Sequence, residues 1–175
     1  IKTRYLAGTQ QMMRADRETV APLSPADAAR IVEAATAAMA DCAVVVLSDY
    51  GKGVLCDAVV EPLLAAAKKA GRPVIVDPKG RDFGRYRGAF LVAPNRRELS
   101  DAAGMAVDGG EAVIAAARHV IETSGIETVL ATLSADGMIL IRGTGDPTVL
   151  AAEARDVFDV SGAGDTVVAA LAAGL

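Results

Sequence analysis

Short apolar runs alternate with segments of helical periodicity along most of this chain, and that alternation limits the folds open to it. Strands are predicted at Ala43–Leu47, Pro73–Val76, Ala89–Ala93 and Thr128–Leu133. The first is a continuous apolar run, which is typical of a strand buried on both faces. Helices are predicted before and between these strands, at Pro25–Ala40, Asp57–Ala70, Arg96–Ala103 and Gly110–Ser124. Because strands that alternate with helices usually pair in parallel, we predict an α/β fold with a mostly parallel sheet and helices on both faces.

Two short strands with many charges precede this pattern. Lys2–Ala7 and Gln10–Arg17 flank Gly8-Thr9, a pair that resembles a hairpin turn. Their mixture of charged and apolar residues predicts an exposed two-stranded β flap, residues 1–17, in front of an α/β domain at residues 18–175. Ile1 already lies in a predicted strand and Leu175 in a helix that has just begun, so we expect the chain to be truncated at both ends.

Charge and the few reactive side chains argue against several classes of function. The net charge is −4 with acids and bases interspersed, which gives no support to a nucleic-acid or membrane partner. No apolar run approaches the roughly 20 residues that cross a membrane, and no signal peptide opens the chain. Cys42, Cys56 and the single histidine, His119, are not spaced as metal ligands. We expect free thiols in a reducing compartment, the cytoplasm, with neither a zinc site nor a histidine-based triad.

A glycine-rich motif near the end of the chain, Asp159-Val160-Ser161-Gly162-Ala163-Gly164-Asp165-Thr166, runs directly into an apolar helical segment. Small residues let backbone N–H groups turn towards a bound anion, and a helix start adds partial positive charge there. Asp165 would place a carboxylate beside that anion, which is what phosphoryl transfer to a hydroxyl group needs. The same residues are also typical of an ordinary glycine-rich turn, so the motif alone leaves both interpretations open.

Polar loops follow the predicted strands at the edge of the sheet where ligands bind in parallel α/β folds, beyond the carboxyl ends of the strands. These loops begin after Leu47, Val76, Ala93 and Leu133, and the glycine motif falls at the same edge. Their clustering favours a functional interpretation of each loop over its interpretation as a simple turn.

The segment Asn95-Arg96-Arg97-Glu98 stands at a predicted helix start and has two interpretations. Asn95 as N-cap and Glu98 at the third helical position make a capping-box pair. Alternatively, both residues organise a hydrated Mg²⁺ or nucleotide phosphates, since Mg²⁺ favours few carboxylates plus water. Loss of the cap should cost roughly 1 kcal/mol of stability, whereas loss of a metal-positioning group should reduce turnover with little unfolding.

Charged side chains in two other loops are further candidates. Lys52 and Lys79 could hold a phosphate as point charges, and Asp77 could accept a hydrogen bond from a hydroxyl group. Arg85 and Arg87 add positive charge, and we expect them at the same edge. Solvated side chains on surface turns are the alternative interpretation.

Hydroxyl groups and a glycine follow the strand Thr128–Leu133. Thr132, Ser134 and Gly137 would allow a nucleotide to approach the backbone closely, or they form an ordinary hairpin turn that returns the chain in a strand at Met138–Arg142. A further strand is predicted at Thr148–Ala152.

Together these motifs resemble those of the ribokinase (PfkB) family of carbohydrate kinases. DVSGAGDT is similar to the family's C-terminal signature, D-T-x-G-A-G-D, and PNRRE resembles its N-x-x-E motif. More narrowly, LSDYGKGVL, DPKGRDFGRYRGA and KTRYLAGTQQMMRAD are similar to the kinase module of D-glycero-D-manno-heptose 7-phosphate kinases. The family's nucleotide turn is often T-x-G-x-x-G, and this chain has Ser134 in place of the first glycine. The resemblance covers essentially the whole chain and implies a ribokinase-like three-layer sandwich.

The resemblance also implies a reaction and its cofactors. The reaction is ATP- and Mg²⁺-dependent phosphorylation of the anomeric hydroxyl of D-glycero-D-manno-heptose 7-phosphate to the 1,7-bisphosphate, in the synthesis of ADP-heptose for the lipopolysaccharide core. Asp165 is implied as the base, assisted by the backbone amides of Gly162, Ala163 and Gly164. The residues implied to bind the nucleotide are Asn95, Glu98, Thr132, Ser134 and Gly137. Asn95 and Glu98 are also implied to bind Mg²⁺ through water. Those implied to receive the sugar and its phosphate are Lys52, Asp77, Lys79, Arg4 and Arg14.

Two other functions are compatible with the same motifs. One is a sugar-phosphate kinase of the same fold that acts on fructose 1-phosphate or a tagatose phosphate, and the other is a non-catalytic sugar-phosphate-binding module. A dinucleotide-binding fold is disfavoured because the glycine motif comes last and lacks G-x-G-x-x-G spacing. Flaps of this kind often pair between subunits in related kinases, so a homodimer through the β flap is expected by analogy.

Overall fold

The computed structural model describes residues 1–8, 10–18, 21–152 and 162–175. Thr9 of the predicted hairpin turn, and Asp159, Val160 and Ser161 of the glycine motif, lie outside the described residues. Among those described, no helix is both long and apolar enough to cross a membrane.

The β flap is formed by two antiparallel strands, β1 (Lys2–Ala7) and β2 (Gln10–Asp16). All of their residues are exposed, including the large apolar side chains of Tyr5, Leu6, Met12 and Met13. The predicted exposed flap is therefore confirmed, and it forms a sheet separate from the main one.

As far as the structure describes the chain, the main sheet has six strands in the order β3-β4-β5-β6-β7-β8. The strands β3 to β6 are parallel, and β7 and β8 are added antiparallel. Their bounds are Val45–Ser48, Val74–Asp77, Leu91–Val92, Thr128–Thr132, Met138–Arg142 and Thr148–Leu150. This arrangement confirms a mostly parallel sheet, with strands that begin or end one or two residues from the predicted bounds.

In the described ranges, five α-helices surround the sheet: α1 (Pro25–Ala38), α2 (Asp57–Ala70), α3 (Arg96–Ala103), α4 (Gly110–Ser124) and α5 (Ala163–Ala173). Ser24 caps α1 by accepting a hydrogen bond from the backbone N–H of Asp27 (3.1 Å), and proline follows at the first helical position. The helix α1 ends two residues earlier than predicted because Met39–Asp41 forms a 3-10 turn. The predicted bounds of α2, α3 and α4 are confirmed.

Alternate residues of the strands point to opposite faces of the sheet and into separate apolar clusters. Val74 and Val76 of β4 pack in the cluster that includes α1 to α4, whereas Ile75 packs with Val168 of α5 on the other face. The chain is thus an α/β sandwich of three layers. The prediction that the apolar run Ala43–Leu47 is buried on both faces is wrong, because β3 is the last strand of the described sheet and Val46 is 41 % exposed.

The parallel strands end level with one another, which brings their loops together. Ser48 pairs with Asp77 at the ends of β3 and β4. Asn95, which lies beyond the end of β5, forms a parallel bridge with Thr132, the last residue of β6. The loops that follow these four strands therefore meet along one edge.

Candidate active site

The glycines of the motif leave open space at the start of α5. Gly162 is the N-cap residue, with a φ of +81° that favours glycine. A methyl group built on either Gly162 or Gly164 would meet no atom within 4 Å. Asp165 lies in the first turn of the helix and is exposed. This combination of open backbone, helix start and exposed carboxylate fits an anion next to a reacting hydroxyl group.

Asp165 lies close to the ends of β3 and β4. The hydroxyl of Tyr50, which follows β3, donates to Oδ1 of Asp165 at 3.4 Å. Asp77, the last residue of β4, has its pKa raised to about 6, first by burial and then by the charges of Glu98 and Asp165, while Lys79 acts in the opposite direction. Carboxylates at the end of β4, in the first turn of α3 and in the first turn of α5 thus share one electrostatic environment.

A buried cluster supports the loop Asp49–Gly53. Asp49 is 5 % exposed, and its carboxylate accepts hydrogen bonds from Tyr86 Oη (2.7 Å), the N–H of Gly51 (2.7 Å) and Arg85 Nη1 (3.4 Å). Tyr86 is fully buried, and its pKa is raised by burial and by the hydrogen bond to Asp49. These contacts join loops 37 positions apart, and no role for Asp49 or Tyr86 was predicted from the sequence.

The two candidate lysines are both paired with carboxylates. Lys79 Nζ donates to Glu98 Oε1 at 2.6 Å, and this hydrogen bond raises the pKa of Lys79. Lys52 forms an ion pair with Glu18. A methyl group on Gly51 would lie 3.4 Å from Cγ of Lys79, so the loops after β3 and β4 are in contact.

A cavity of about 470 Å³ lies between the end of β3 and the β flap. Charged groups in its lining include Lys2, Glu18, Asp49 and Lys52, together with the hydroxyl of Tyr50. Lys2 is a cation of the flap that was not among the predicted site residues. The cavity is large enough for a small polar ligand.

Asn95 and Glu98 form the predicted capping box. Oδ1 of Asn95 accepts from the N–H of Glu98 (2.9 Å), and Oε2 of Glu98 accepts from the N–H of Asn95 (3.0 Å). Because the other oxygen of Glu98 faces Lys79, both oxygens are engaged, which fits a metal ion held through water rather than directly. Among the described residues, no group of three or more His, Cys, Asp or Glu side chains could hold a metal ion. The role of this pair in Mg²⁺ or nucleotide binding stays a prediction.

The turn between β6 and β7 has an unusual backbone. Ser134 has a φ of +55°, and it is the single residue other than glycine with positive φ in the described chain. Ser134 thus adopts the left-handed conformation that suits the glycine of the family pattern. A methyl group on Gly137 would lie 2.1 Å from the carbonyl oxygen of Leu150, so β8 leaves no space for a side chain there. The nucleotide contacts of Thr132, Ser134 and Gly137 remain predicted.

The candidate arginines differ in position. Arg85 lies at the expected edge but is bound to Asp49 and Asp57. The prediction for Arg87 is wrong: the segment Phe83–Gly88 crosses to the opposite edge, where Arg87 donates to the carbonyl of Thr123 at the end of α4.

Arg4 and Arg14 face each other on the β flap. They are partners in the β1–β2 register, and Arg14 is paired with Asp16 of its own strand at 3.0 Å. Their predicted contact with the phosphate of a sugar is not tested by this arrangement.

Comparison with known proteins identifies the family. The sequence model of the pfkB family of carbohydrate kinases matches residues 4–175. The chain belongs to this family. The match includes Asn95, Glu98 and Asp165, which agrees with the resemblance noted from the motifs.

Curated relatives of this pfkB-family chain include two proteins named bifunctional protein HldE. The protein of Rhodospirillum rubrum is 53 % identical over the whole chain, and that of Paramagnetospirillum magneticum is 54 % identical. The chain spans about a third of the length of these relatives, 35 % and 36 % respectively.

Solved structures of carbohydrate kinases share the fold. A mutant of phosphofructokinase-2 from Escherichia coli superposes with a TM-score of 0.78 over 95 % of this chain and 54 % of its own, at 21 % identity. Arabidopsis thaliana ribokinase, solved with ribose and ATP, gives a TM-score of 0.65 over 87 % of this chain and 47 % of its own, at 26 % identity. The ribokinase-like fold predicted from the sequence is therefore confirmed.

Proposed function

We propose that this chain carries the phosphoryl-transfer site of an ATP-dependent kinase that phosphorylates the anomeric hydroxyl of D-glycero-D-manno-heptose 7-phosphate, in ADP-heptose synthesis. The observation that carries the proposal is the position of Asp165 at the open, glycine-rich start of α5, beside Tyr50 and Asp77. The heptose substrate is supported by the motifs similar to heptose 7-phosphate kinases and by about 50 % identity to the two HldE proteins.

Asp165 is the proposed general base. Its carboxylate would take the proton from the anomeric hydroxyl as that oxygen bonds to the γ-phosphorus of ATP and the bond to ADP breaks. The amides of Gly162, Ala163 and Gly164 would stabilise negative charge on the transferring group, because they lie at the start of α5, where backbone N–H groups have no partner within the helix. Little proton removal is needed until late in a loose transition state, so a carboxylate is basic enough.

Other residues would bind the two substrates. Mg²⁺, held through water by Asn95 and Glu98, would neutralise charge on the phosphates of ATP when bound. The turn containing Thr132, Ser134 and Gly137 would receive the nucleotide. The residues proposed to bind the sugar phosphate, after exchange of their present carboxylate partners where they have one, are Lys52, Asp77, Lys79, Arg4 and Arg14.

The β flap is proposed to cover the sugar and to join two copies of the chain. Support comes from the cavity that Lys2 of the flap shares with Lys52, and from the exposed apolar side chains of Tyr5, Leu6 and Met13. Light scattering of the full-length protein would report a monomer if this homodimer does not form.

The substrate is tested with a panel of sugar phosphates in an assay of ATP consumption by the full-length protein. We expect heptose 7-phosphate to be the preferred acceptor. Preference for fructose 1-phosphate or a tagatose phosphate would replace the proposed substrate, and ligand-induced stabilisation without ATP consumption would indicate a binding module.

The base is tested by Asp165→Asn in the same protein. We expect kcat to fall by about 10²–10⁴-fold, as is typical for loss of a general base, with ATP binding and the melting temperature unchanged. Asp146→Asn is the matched control, because Asp146 is exposed in the turn between β7 and β8. This turn lies at the opposite end of β7 from the turn that carries Ser134 and Gly137. Near-normal activity of Asp165→Asn would refute the assignment.

A further inference from the structure

One arginine connects the start of α3 to the turn between β6 and β7. Arg96 is the first residue of α3, and its guanidinium group donates from Nη2 to Oδ2 of Asp136 (2.7 Å) and from Nη1 to the carbonyl of Val107 (2.9 Å). Its neighbour Arg97 points away: 92 % of that side chain is exposed, and its ion pair with Asp101 is long, at 3.9 Å. Two adjacent arginines thus have opposite roles, one extended between two partners and one solvated.

The two segments that Arg96 joins are both parts of the proposed nucleotide site. On one side is the capping box of Asn95 and Glu98, and on the other is the turn from Ser134 to Gly137. The backbones of these segments already meet where the N–H of Thr132 donates to the carbonyl of Pro94 (2.9 Å). The contact between Arg96 and Asp136 adds a second attachment four residues further along.

A second attachment matters because the turn has a strained backbone. Ser134 adopts a left-handed φ of +55°, which costs a residue with a side chain about 1 kcal/mol or more. The strain persists when surrounding contacts hold the turn in one shape. Residues Ser134–Asp136 of this turn form a 3-10 helix. Asp136 is its third residue, so a partner that holds its carboxylate restricts the whole turn.

We propose that Arg96 is a positioning residue for the nucleotide: by holding Asp136, it fixes the Ser134–Gly137 turn relative to the Asn95–Glu98 helix start. The inference rests on the proposed kinase function. A planar guanidinium serves both acceptors at once, because its N–H groups point in fixed, separate directions, whereas a lysine ammonium is a single point charge on a flexible stem. The contact should therefore depend on arginine and not only on positive charge.

The expected effect on the KM for ATP follows from the exposure of Arg96 and Asp136. The side chain of Asp136 is 72 % exposed and that of Arg96 is 35 % exposed, so solvent screens their attraction. A partly exposed pair of this kind changes an equilibrium by up to about fivefold. We expect Asp136→Asn and Arg96→Lys to raise the KM for ATP about three- to fivefold, with the KM for the sugar phosphate unchanged. Arg96→Ala, which also removes the contact with Val107, should have the larger effect.

The test uses the full-length protein and Arg97→Ala as the matched control. KM for ATP, KM for the sugar phosphate, kcat and the melting temperature are measured for each variant and for the double variant Arg96→Ala/Asp136→Asn. A shared contact predicts that the double variant is little worse than Arg96→Ala alone. Arg97→Ala should match the wild type in all four quantities.

Several outcomes would overturn the inference. One is an unchanged KM for ATP in Asp136→Asn. Another is a parallel rise of both KM values with a lower melting temperature, which indicates a merely structural role. Equal effects of the Arg96 and Arg97 variants on the KM for ATP would also overturn the inference.

Direct measurement of nucleotide binding distinguishes failure of the proposed kinase function from failure of the proposed role of Arg96. If the wild type consumes no ATP with any sugar phosphate, the kinase proposal fails, and the dissociation constant for ATP then replaces KM. A dissociation constant for ATP that is three- to fivefold larger in Asp136→Asn would still support the positioning role. A wild type that binds no ATP would overturn both proposals.

Discussion

Removal of a single buried hydroxyl group should measurably destabilise this protein. In Tyr86→Phe, the carboxylate of Asp49 loses its hydrogen bond from Tyr86 Oη (2.7 Å) and keeps those from Gly51 and Arg85. The aromatic ring remains, and with it the edge-on contact with Phe83 (6.0 Å between ring centroids), so no cavity of note is created. The effect therefore isolates the hydrogen bond.

The expected cost is set by the charge and burial of the acceptor. A hydrogen bond to a charged group contributes about 1.5–3 kcal/mol. Asp49 is 5 % exposed, so water cannot readily replace the lost donor, and the N–H of Lys79 loses a weak acceptor as well (3.3 Å). We expect the free energy of unfolding to fall by about 2 kcal/mol, which lowers the melting temperature of a domain of 150–250 residues by about 4–8 °C.

Thermal unfolding of the full-length protein, followed by calorimetry, measures this cost. Tyr50→Phe is the matched control, because Tyr50 is 58 % exposed and its hydroxyl makes a long contact of 3.4 Å. The control should stay within about 0.5 kcal/mol of the wild type. If Tyr86→Phe is as stable as the control, the carboxylate of Asp49 does not depend on Tyr86 and the reasoning is refuted.

Two further substitutions test the loops of the candidate site. Asn95→Ala should lower stability by roughly 1 kcal/mol through loss of the cap, whereas Asn95→Asp should retain it; melting temperatures compare the two. Asp77→Asn should raise stability at pH 8 by about 1 kcal/mol, after allowance for solvent screening, and give no gain at pH 4. The pKa of Asp77 is about 6 in the folded protein, against an ordinary value of 3.8 that we take for the unfolded chain. Between these two pH values the folded state binds one more proton than the unfolded state, so stability falls as pH rises through them.

Each of these results has a clear opposite. If Asn95→Ala keeps its stability but loses Mg²⁺-dependent turnover, the metal or nucleotide role outweighs the cap. If instead it loses stability and keeps that turnover, capping alone explains the motif. For Asp77→Asn, a loss of stability at pH 8 would show that its carboxylate makes a favourable contact outweighing its desolvation. Stability is measured in EDTA so that bound metal does not contribute.

Local signals explain which elements were predicted well. The helix α3 has Asn95 as its cap, Glu98 at the third position and Gly104 after its last residue, and its bounds match the prediction. These signals act within one or two turns of chain. The edge where the loops meet was also predictable, because strands that alternate with helices usually pair in parallel.

Contacts between distant loops were not predictable in this way. Asp49 and Tyr86 are 37 positions apart, and Arg96 and Asp136 are 40 apart; nothing near any of them in the sequence indicates its partner. The two wrong predictions, for the burial of Ala43–Leu47 and for the position of Arg87, have the same origin. The apolar composition of β3 does not reveal which strand lies at the edge of the described sheet, and the position of Arg87 depends on the path of the segment Phe83–Gly88.

The contact between Tyr50 and Asp165 also bears on the order in which the site assembles. These residues are 115 positions apart, whereas β6 and β7 are joined by a turn of a few residues. Short loops close at low entropic cost and long ones at a higher cost, so the hairpin that carries Ser134 and Gly137 should form early and the arrival of Asp165 should come last. A newly made chain would then acquire its proposed nucleotide turn well before its proposed base.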